Sequence, residues 1–292
     1  MELKFQQIAD ESNEIFDWIA SFGLDVNRGR VGRYRENLAE IAHSIKNNST
    51  QDINDNIQHY LQALYEYGEL SVIYQAFRIN PADGLEDLLA KLISGPYSMQ
   101  EETEKNVHPR NFAFEATLGA RMSFVDLKPS FKYTGDVFCE SNGIPLYFQC
   151  KRLSSMKQIR KRISKAAEQI DTDIKRHRGS KAQGIIALDA TKLINPDNIT
   201  MIATTSTELE SLNSNLRDSF IREYVEALGI KGPKRLIGIL VRSSCLGFNE
   251  EKNAYTFYQG YTVANISGIS DYQRSISDRF VATLTRNITS RN

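Results

Sequence analysis

The chain has 292 residues, of which 41% are hydrophobic, so it can form a substantial core in one large or two medium domains. Its formal net charge of +0 excludes a uniformly basic nucleic-acid-binding protein, although residues 151–182 carry 11 Lys and Arg against 3 Asp and Glu. No apolar run approaches the ~20 residues of a membrane helix, and the N-terminus lacks a basic-then-apolar signal. We therefore expect a cytoplasmic protein without a membrane partner.

Several enzyme classes are excluded by motifs that the sequence lacks. It contains no G-x-x-x-x-G-K-[ST] phosphate loop, no H-E-x-x-H or C-x-x-C zinc pattern and no G-x-S-x-G nucleophile turn. Its three cysteines, Cys139, Cys150 and Cys245, are odd in number and follow no disulfide spacing. We interpret them as reduced thiols in the core.

The first third of the chain is expected to be all-helical. Apolar side chains recur at helical spacing in three stretches, Ile15 to Phe22, Leu38 to Ile45 and Ile53 to Phe77. A short helix over residues 83–93 follows Pro81. We therefore place a helical N-terminal domain at residues 1–94 and a polar connector with two prolines at residues 95–110.

Residues 111–292 alternate between helical and strand patterns. A helix with Asn111 as its N-cap carries Glu115, and a long amphipathic helix begins near Ser155. A further helix begins near Thr207. Strands are predicted at Ser123–Leu127, Asp136–Glu140, Pro145–Arg152, Gly184–Asp189, Arg235–Arg242 and Tyr255–Ala264. The order from Asn111 to Asp189 is therefore helix, three strands, helix, strand.

Four polar residues of this part are expected to meet on one surface of the sheet. Side chains alternate between the two faces of a strand, so Gln149 and Lys151 project together. Asp136 opens the neighbouring strand, and we expect Glu115 to lie over the same face. Carboxylate and amide oxygens are suitable ligands for Mg²⁺, and a lysine ammonium can stabilise charge on a phosphate. The sequence therefore predicts a metal site of Asp136, Gln149 and Glu115, with Lys151 as electrostatic catalyst.

This arrangement resembles the PD-(D/E)XK nuclease superfamily, and the Q-x-K variant resembles its Mrr-like restriction endonuclease branch. The resemblance covers residues 111–190 and departs from the pattern at Gly135, where proline is nominal, and at Gln149, where an acid is usual. It implies an α/β (α+β) fold with a restriction-endonuclease-like αβββαβ core and a mixed central sheet at residues 111–292. It also implies a Mg²⁺-dependent endodeoxyribonuclease, with Mn²⁺ as a substitute metal and a role in restriction or defence.

A run of basic residues follows Lys151 and is predicted to contact DNA, with a duplex favoured. Its candidate nucleic-acid-binding residues are Arg152, Lys157, Arg160, Lys161 and Lys165. The alternative for this run is a solvated helix face.

Two other functional interpretations remain open. The chain could be a catalytically inactive nuclease-fold module that binds nucleic acid or protein, since Gln149 removes one negative charge from the metal site. It could also be a helical interaction protein whose N-terminal domain recruits partners. A homodimer is compatible with each interpretation.

Overall fold

A computed structural model describes residues 2–3, 5–47, 49–98, 101–103, 106, 108–176 and 181–286. Within these residues the chain forms helices packed on a mixed sheet. The strands are β1 Glu2–Leu3, β2 Val137–Ser141, β3 Ile144–Arg152, β4 Gln183–Asp189, β5 Met201–Ala203, β6 Leu236–Asn249 and β7 Ala254–Ala264. The helices are α1 Phe5–Ala20, α2 Gly29–Lys46, α3 Thr50–Phe77, α4 Leu85–Leu92, α5 His108–Phe124, α6 Ile159–Arg176, α7 Thr191–Ile194, α8 Ser206–Phe220 and α9 Asp271–Leu284.

The sheet has the strand order β1-β7-β6-β4-β3-β2, and β5 pairs with the C-terminal end of β6. Strands β3, β4 and β6 run parallel to one another, and β5 is parallel to β6. The outer pairs β2/β3, β6/β7 and β1/β7 are antiparallel. The expected mixed sheet is therefore confirmed. None of the helices formed by the described residues is long and apolar enough to span a membrane.

The N-terminal region is helical as predicted, except that β1 joins the edge of the sheet. Its helices share one hydrophobic cluster with Leu246 of β6 and Phe257 of β7. At Gly68, a Cβ atom would lie 2.5 Å from the ring of Phe257, so glycine permits the close approach of α3 to β7. The division into 1–94, 95–110 and 111–292 stays a prediction, because the helices and the sheet are packed together.

The core has one strand fewer than the αβββαβ pattern requires. The predicted strand Ser123–Leu127 is wrong, because α5 continues to Phe124 with its apolar side chains at helical spacing. Between α5 and β2 the chain forms only isolated bridges at Ser130, one parallel to Asp83 and one antiparallel to Phe138, in which the backbones of Ser130 and Phe138 exchange hydrogen bonds of 2.8 and 2.9 Å. The observed order is therefore α5-β2-β3-α6-β4.

Asn111 does not cap α5, because the helix begins at His108. Its side chain instead accepts a hydrogen bond of 2.9 Å from the backbone N–H of Arg152, which ties α5 to the end of β3.

The β2/β3 hairpin agrees closely with the predicted strands. Ser141 pairs with Ile144 across a two-residue turn formed by Asn142 and Gly143. Both turn residues have positive φ, 52° and 71°, which is the backbone conformation that favours an Asn-Gly pair. The turn therefore sets the register that places Val137 opposite Phe148.

The two faces of this hairpin are covered by different helices. The apolar stripe of α6 packs in one cluster with Tyr147 of β3 and with Ile186 and Leu188 of β4. The apolar side chains of α5 pack in another cluster with Phe148 and Cys150. Strand β4 is consequently buried on both faces, as its continuous apolar run predicted.

The C-terminal part contains two helices that the sequence patterns did not predict, the short α7 and the longer α9. Helix α9 begins with a capping box between Ser270 and Gln273 and packs Phe280 against Phe148. Helix α8 begins one residue before the predicted Thr207, with Thr205 as its cap. The three cysteines are buried and unpaired, which confirms their assignment as core thiols. The polar composition of the residues beyond about Thr285 predicts a frayed C-terminus, and most of these residues lie outside the described part of the chain.

Candidate active site

The candidate site lies at the end of the hairpin that is far from its turn, where β3 extends beyond Val137, the first residue of β2. Pairing between the two strands begins at Val137 and Phe148, so the stretch from Gln149 to Arg152 extends past the end of β2. Asp136 closes this edge: its backbone N–H donates to the Phe148 carbonyl at 3.0 Å, and its carboxylate accepts from the backbone N–H of Cys150 at 2.7 Å. The Asp136 carboxylate is therefore fixed in place by the strand beside it.

The ammonium group of Lys151 joins the other two polar residues of the site. Its Nζ atom donates to Asp136 Oδ2 at 3.2 Å and to Gln149 Oε1 at 3.0 Å. The Lys151 side chain is 12% exposed and that of Asp136 is 27% exposed, so the group is shielded but reachable from solvent. The structure thus brings together the three residues that strand alternation placed on one surface.

Glu115 occupies a different position from the one expected. Its helix packs against Phe148 and Cys150, on the face of β3 opposite to Gln149 and Lys151. The expectation that Glu115 lies over the same face is therefore wrong, because the apolar stripe of α5 decides which face the helix covers.

The Glu115 carboxyl nevertheless interacts electrostatically with the site. It is buried, with 6% exposed, and burial raises its pKa well above the ordinary value, with a further rise from Asp136. The ammonium groups of Lys151 and Lys91 act in the opposite direction. A cation that comes close to such a carboxyl stabilises its ionised form.

Asp173 is a third acidic residue of the site, after Glu115 and Asp136, and the sequence patterns did not single it out. It lies on the buried face of α6, and its Oδ2 accepts from Gln149 Nε2 at 2.9 Å. Burial raises the pKa of the Asp173 carboxyl, while hydrogen bonds from Gln149 and Thr134 lower it. A signal was available in the sequence, since Asp173 interrupts the apolar stripe between Ile170 and Ile174.

The donor atoms suit a hard divalent cation. Oxygen atoms of Asp136 and Gln149 already face one positive charge, the Lys151 ammonium, so the two predicted ligands point to a common position. Among the described residues, no group of three or more His, Cys, Asp and Glu side chains is arranged to hold a metal ion. A metal site here therefore depends on the Gln149 amide oxygen as a ligand.

Arg152 is not placed to contact nucleic acid, which corrects its assignment as a phosphate-binding residue. Its side chain is 1% exposed, and its guanidinium binds both oxygens of Glu102, at 2.9 and 3.1 Å, and also Asp189. Arg152 follows Lys151 in the strand, so it points to the other face, where Glu102 and Asp189 enclose it.

The remaining basic residues are accessible. They lie on the outer face of α6 and on the turn of 3₁₀ helix before it, and all four are exposed: Lys157, Arg160, Lys161 and Lys165. At 1.5 Å per helical residue, Lys165 is about 12 Å along the axis from Asp173, and Arg160 is about 20 Å away. Their contact with phosphates stays a prediction.

Comparison with known proteins identifies no relative. No family model matches the chain, and no curated protein or solved structure matches it either. The geometry of the site is therefore the structural basis for inferring a function.

Proposed function

We propose that the chain is a Mg²⁺-dependent endonuclease that hydrolyses phosphodiester bonds of DNA, with Mn²⁺ as a substitute metal. The observation that carries this proposal is the convergence of Asp136 Oδ2 and Gln149 Oε1 on the Lys151 ammonium at the open edge of β3. A restriction or defence role is what the family resemblance adds.

Each residue has a distinct role in this proposal. Asp136 and Gln149 would hold the metal ion, and the buried Glu115 carboxyl, which interacts electrostatically with Asp136 and Lys151, would act on its charge from the α5 side. When bound, Mg²⁺ polarises a phosphoryl oxygen and lowers the pKa of water. The Lys151 ammonium then leaves its two oxygen partners and stabilises the negative charge on the phosphate. The bond from Cys150 N–H keeps the Asp136 carboxylate directed to the site during this change.

A test of the activity uses supercoiled plasmid with Mg²⁺, Mn²⁺ or EDTA. We expect metal-dependent nicking by the wild type and its loss in Asp136→Asn, which removes the charged ligand. The matched control is Asp278→Asn, the same substitution at an exposed position of α9. Equal cutting by Asp136→Asn and the wild type would remove Asp136 from the mechanism, and absence of metal-dependent cutting would overturn the proposal.

Duplex binding is assigned to the exposed basic residues of α6. Replacing Lys161 and Lys165 by Gln should flatten the slope of log affinity against log salt by roughly 0.9 unit for each phosphate that the variant no longer neutralises. The control replaces Arg274 and Arg279, two exposed arginines of α9, by Gln. An unchanged slope for the α6 variant would return this surface to a solvated helix face.

The second candidate function is a nuclease-fold module that binds nucleic acid without cutting it. Two observations favour it: a neutral amide stands where an acid is usual, and burial raises the pKa of the Glu115 carboxyl well above its ordinary value. The amide removes one negative charge from the metal site, and the raised pKa means that a charge on Glu115 is disfavoured by the fold. Salt-sensitive DNA binding without cutting in any metal would select this function over the first.

A further inference from the structure

Gln149 is held between two groups with opposite hydrogen-bonding requirements. The Lys151 ammonium has only donors, and it contacts the amide oxygen at 3.0 Å. An ionised Asp173 carboxylate has only acceptors, and it contacts the amide nitrogen at 2.9 Å. The two contacts require the same orientation of the amide, with its oxygen towards Lys151 and its nitrogen towards Asp173 of α6.

We propose that Asp173 is a positioning residue that locks the Gln149 amide with its oxygen directed into the site. This inference rests on the proposed function for the chemical role of that oxygen as a metal ligand. Without Asp173, the amide could turn and present its NH₂ group to the position of the cation.

The burial of the pair gives Asp173 its effect. Gln149 is 2% exposed and Asp173 is 5% exposed, so water does not compete freely for either side chain. A hydrogen bond from an amide to a carboxylate is charge-assisted and stronger than one between neutral groups. The carboxylate also increases the electron density of the amide oxygen, as carboxylates do behind metal-binding histidines.

The pair also explains why a neutral residue is tolerated at a position where the resembled family has an acid. Asp173 places a carboxylate directly behind the Gln149 amide. The negative charge is therefore carried by the hydrogen-bond partner of the ligand and not by the ligand itself. A glutamate at position 149 would put two carboxylates in direct contact, with no proton donor between them. The identity of residue 149 is therefore coupled to that of residue 173.

A denaturation experiment tests this coupling without catalysis. Three variants are compared with the wild type in EDTA: Gln149→Glu, Asp173→Asn and the double variant. We expect Gln149→Glu to lower the melting temperature and the double variant to recover most of that loss, because the Asn amide can donate to the new carboxylate. Asp171→Asn serves as the control in the Gln149→Glu background, since Asp171 lies on the same helix but pairs with Lys175 at 2.5 Å.

Recovery by Asp173→Asn but not by Asp171→Asn supports the positioning role. Equal recovery by both would mean that net charge explains the effect, and it would overturn the inference. A double variant whose loss of melting temperature is the sum of the two single losses would also overturn it.

A second measurement connects the pair to the metal ion. The Mg²⁺ concentration for half-maximal plasmid cutting should rise about 10–100-fold in Asp173→Ala, the range typical of a missing partner behind a metal ligand. Cutting at saturating Mg²⁺ should change much less, and Asp171→Ala should leave the midpoint unchanged. An unchanged midpoint in Asp173→Ala would overturn the inference. If the wild type does not cut at all, only the proposed function fails, because the denaturation test still decides the role of Asp173.

Discussion

Lys151 and Arg152 are neighbours in one strand, yet their surroundings differ in every respect that matters for function. Lys151 is partly exposed and shares its ammonium between one carboxylate and one amide oxygen. Arg152 is buried and lies in a network of ion pairs that joins the sheet to the N-terminal region. The other charged members of this buried ionic network are Glu66, Glu69, Glu102, Arg110, Asp189 and Arg242.

Each carboxylate of the buried ionic network pairs with at least one guanidinium group. Asp189 receives both Arg152 and Arg242, and its second oxygen accepts from the Thr191 hydroxyl at 2.5 Å. Burial alone would raise the pKa of Asp189, but the two guanidinium groups and Thr191 hold it below its ordinary value. Charges neutralised in this way are locked into the fold and are not available to a ligand.

Glu115 shows the opposite behaviour beside Lys151. Burial and Asp136 raise its pKa, so its charge lacks full compensation in the fold. A buried carboxyl with a raised pKa beside a reachable site is typical of functional residues, whereas a carboxyl with a lowered pKa inside an ion network is typical of structural ones. Charge alone therefore does not distinguish a functional residue from a structural one, whereas the extent to which the fold compensates that charge does.

The largest expected effect concerns stability. Arg152→Met removes one cation from the buried ionic network and leaves Glu102 and Asp189 undercompensated, which should cost about 3–5 kcal/mol of unfolding free energy. Lys151→Met should cost no more than about 1 kcal/mol, because its pair with Asp136 is partly exposed. Urea denaturation of both variants measures the difference. Similar losses would contradict the separation of the two neighbours into a structural and a functional residue.

The next effect concerns catalysis. Lys151→Ala should reduce plasmid cutting by about 10²–10³, the size typical of losing one preorganised electrostatic group. DNA binding, measured by gel shift in Ca²⁺, should change little, because the exposed lysines and arginines of α6 are intact. Lys128→Ala, at an exposed position outside the site, is the control. Wild-type cutting by Lys151→Ala would show that this lysine has no catalytic role.

The smallest effect concerns the pH dependence of stability in EDTA. The pKa of Glu115 is raised in the folded protein, so the fold favours the protonated carboxyl and loses stability as pH rises above the ordinary value of 4.5. Glu115→Gln removes this loss. Its melting temperature should match the wild type in acid and exceed it by a few degrees at neutral pH. A variant that melts below the wild type at neutral pH would mean that the Glu115 charge is compensated, as in the buried ionic network.

Periodicity within single elements was sufficient to predict a large part of the site. Strand alternation alone places Gln149 and Lys151 side by side, and the Asn142-Gly143 turn pairs their strand with the one that Asp136 opens. These relations are short in range, because they follow from backbone geometry and from a two-residue turn. The same kind of pattern identified the basic outer face of α6 and the doubly buried strand β4.

Only the tertiary structure decided the relations between elements. The sequence does not state which face of β3 receives α5, and that choice moved Glu115 to the opposite side of the sheet. It does not show that Glu102, fifty residues away, covers Arg152, or that Asp173 reaches Gln149 from α6. Each of these contacts depends on how apolar stripes from distant elements pack together. A charged residue therefore becomes structural or functional according to partners that its own local pattern does not contain.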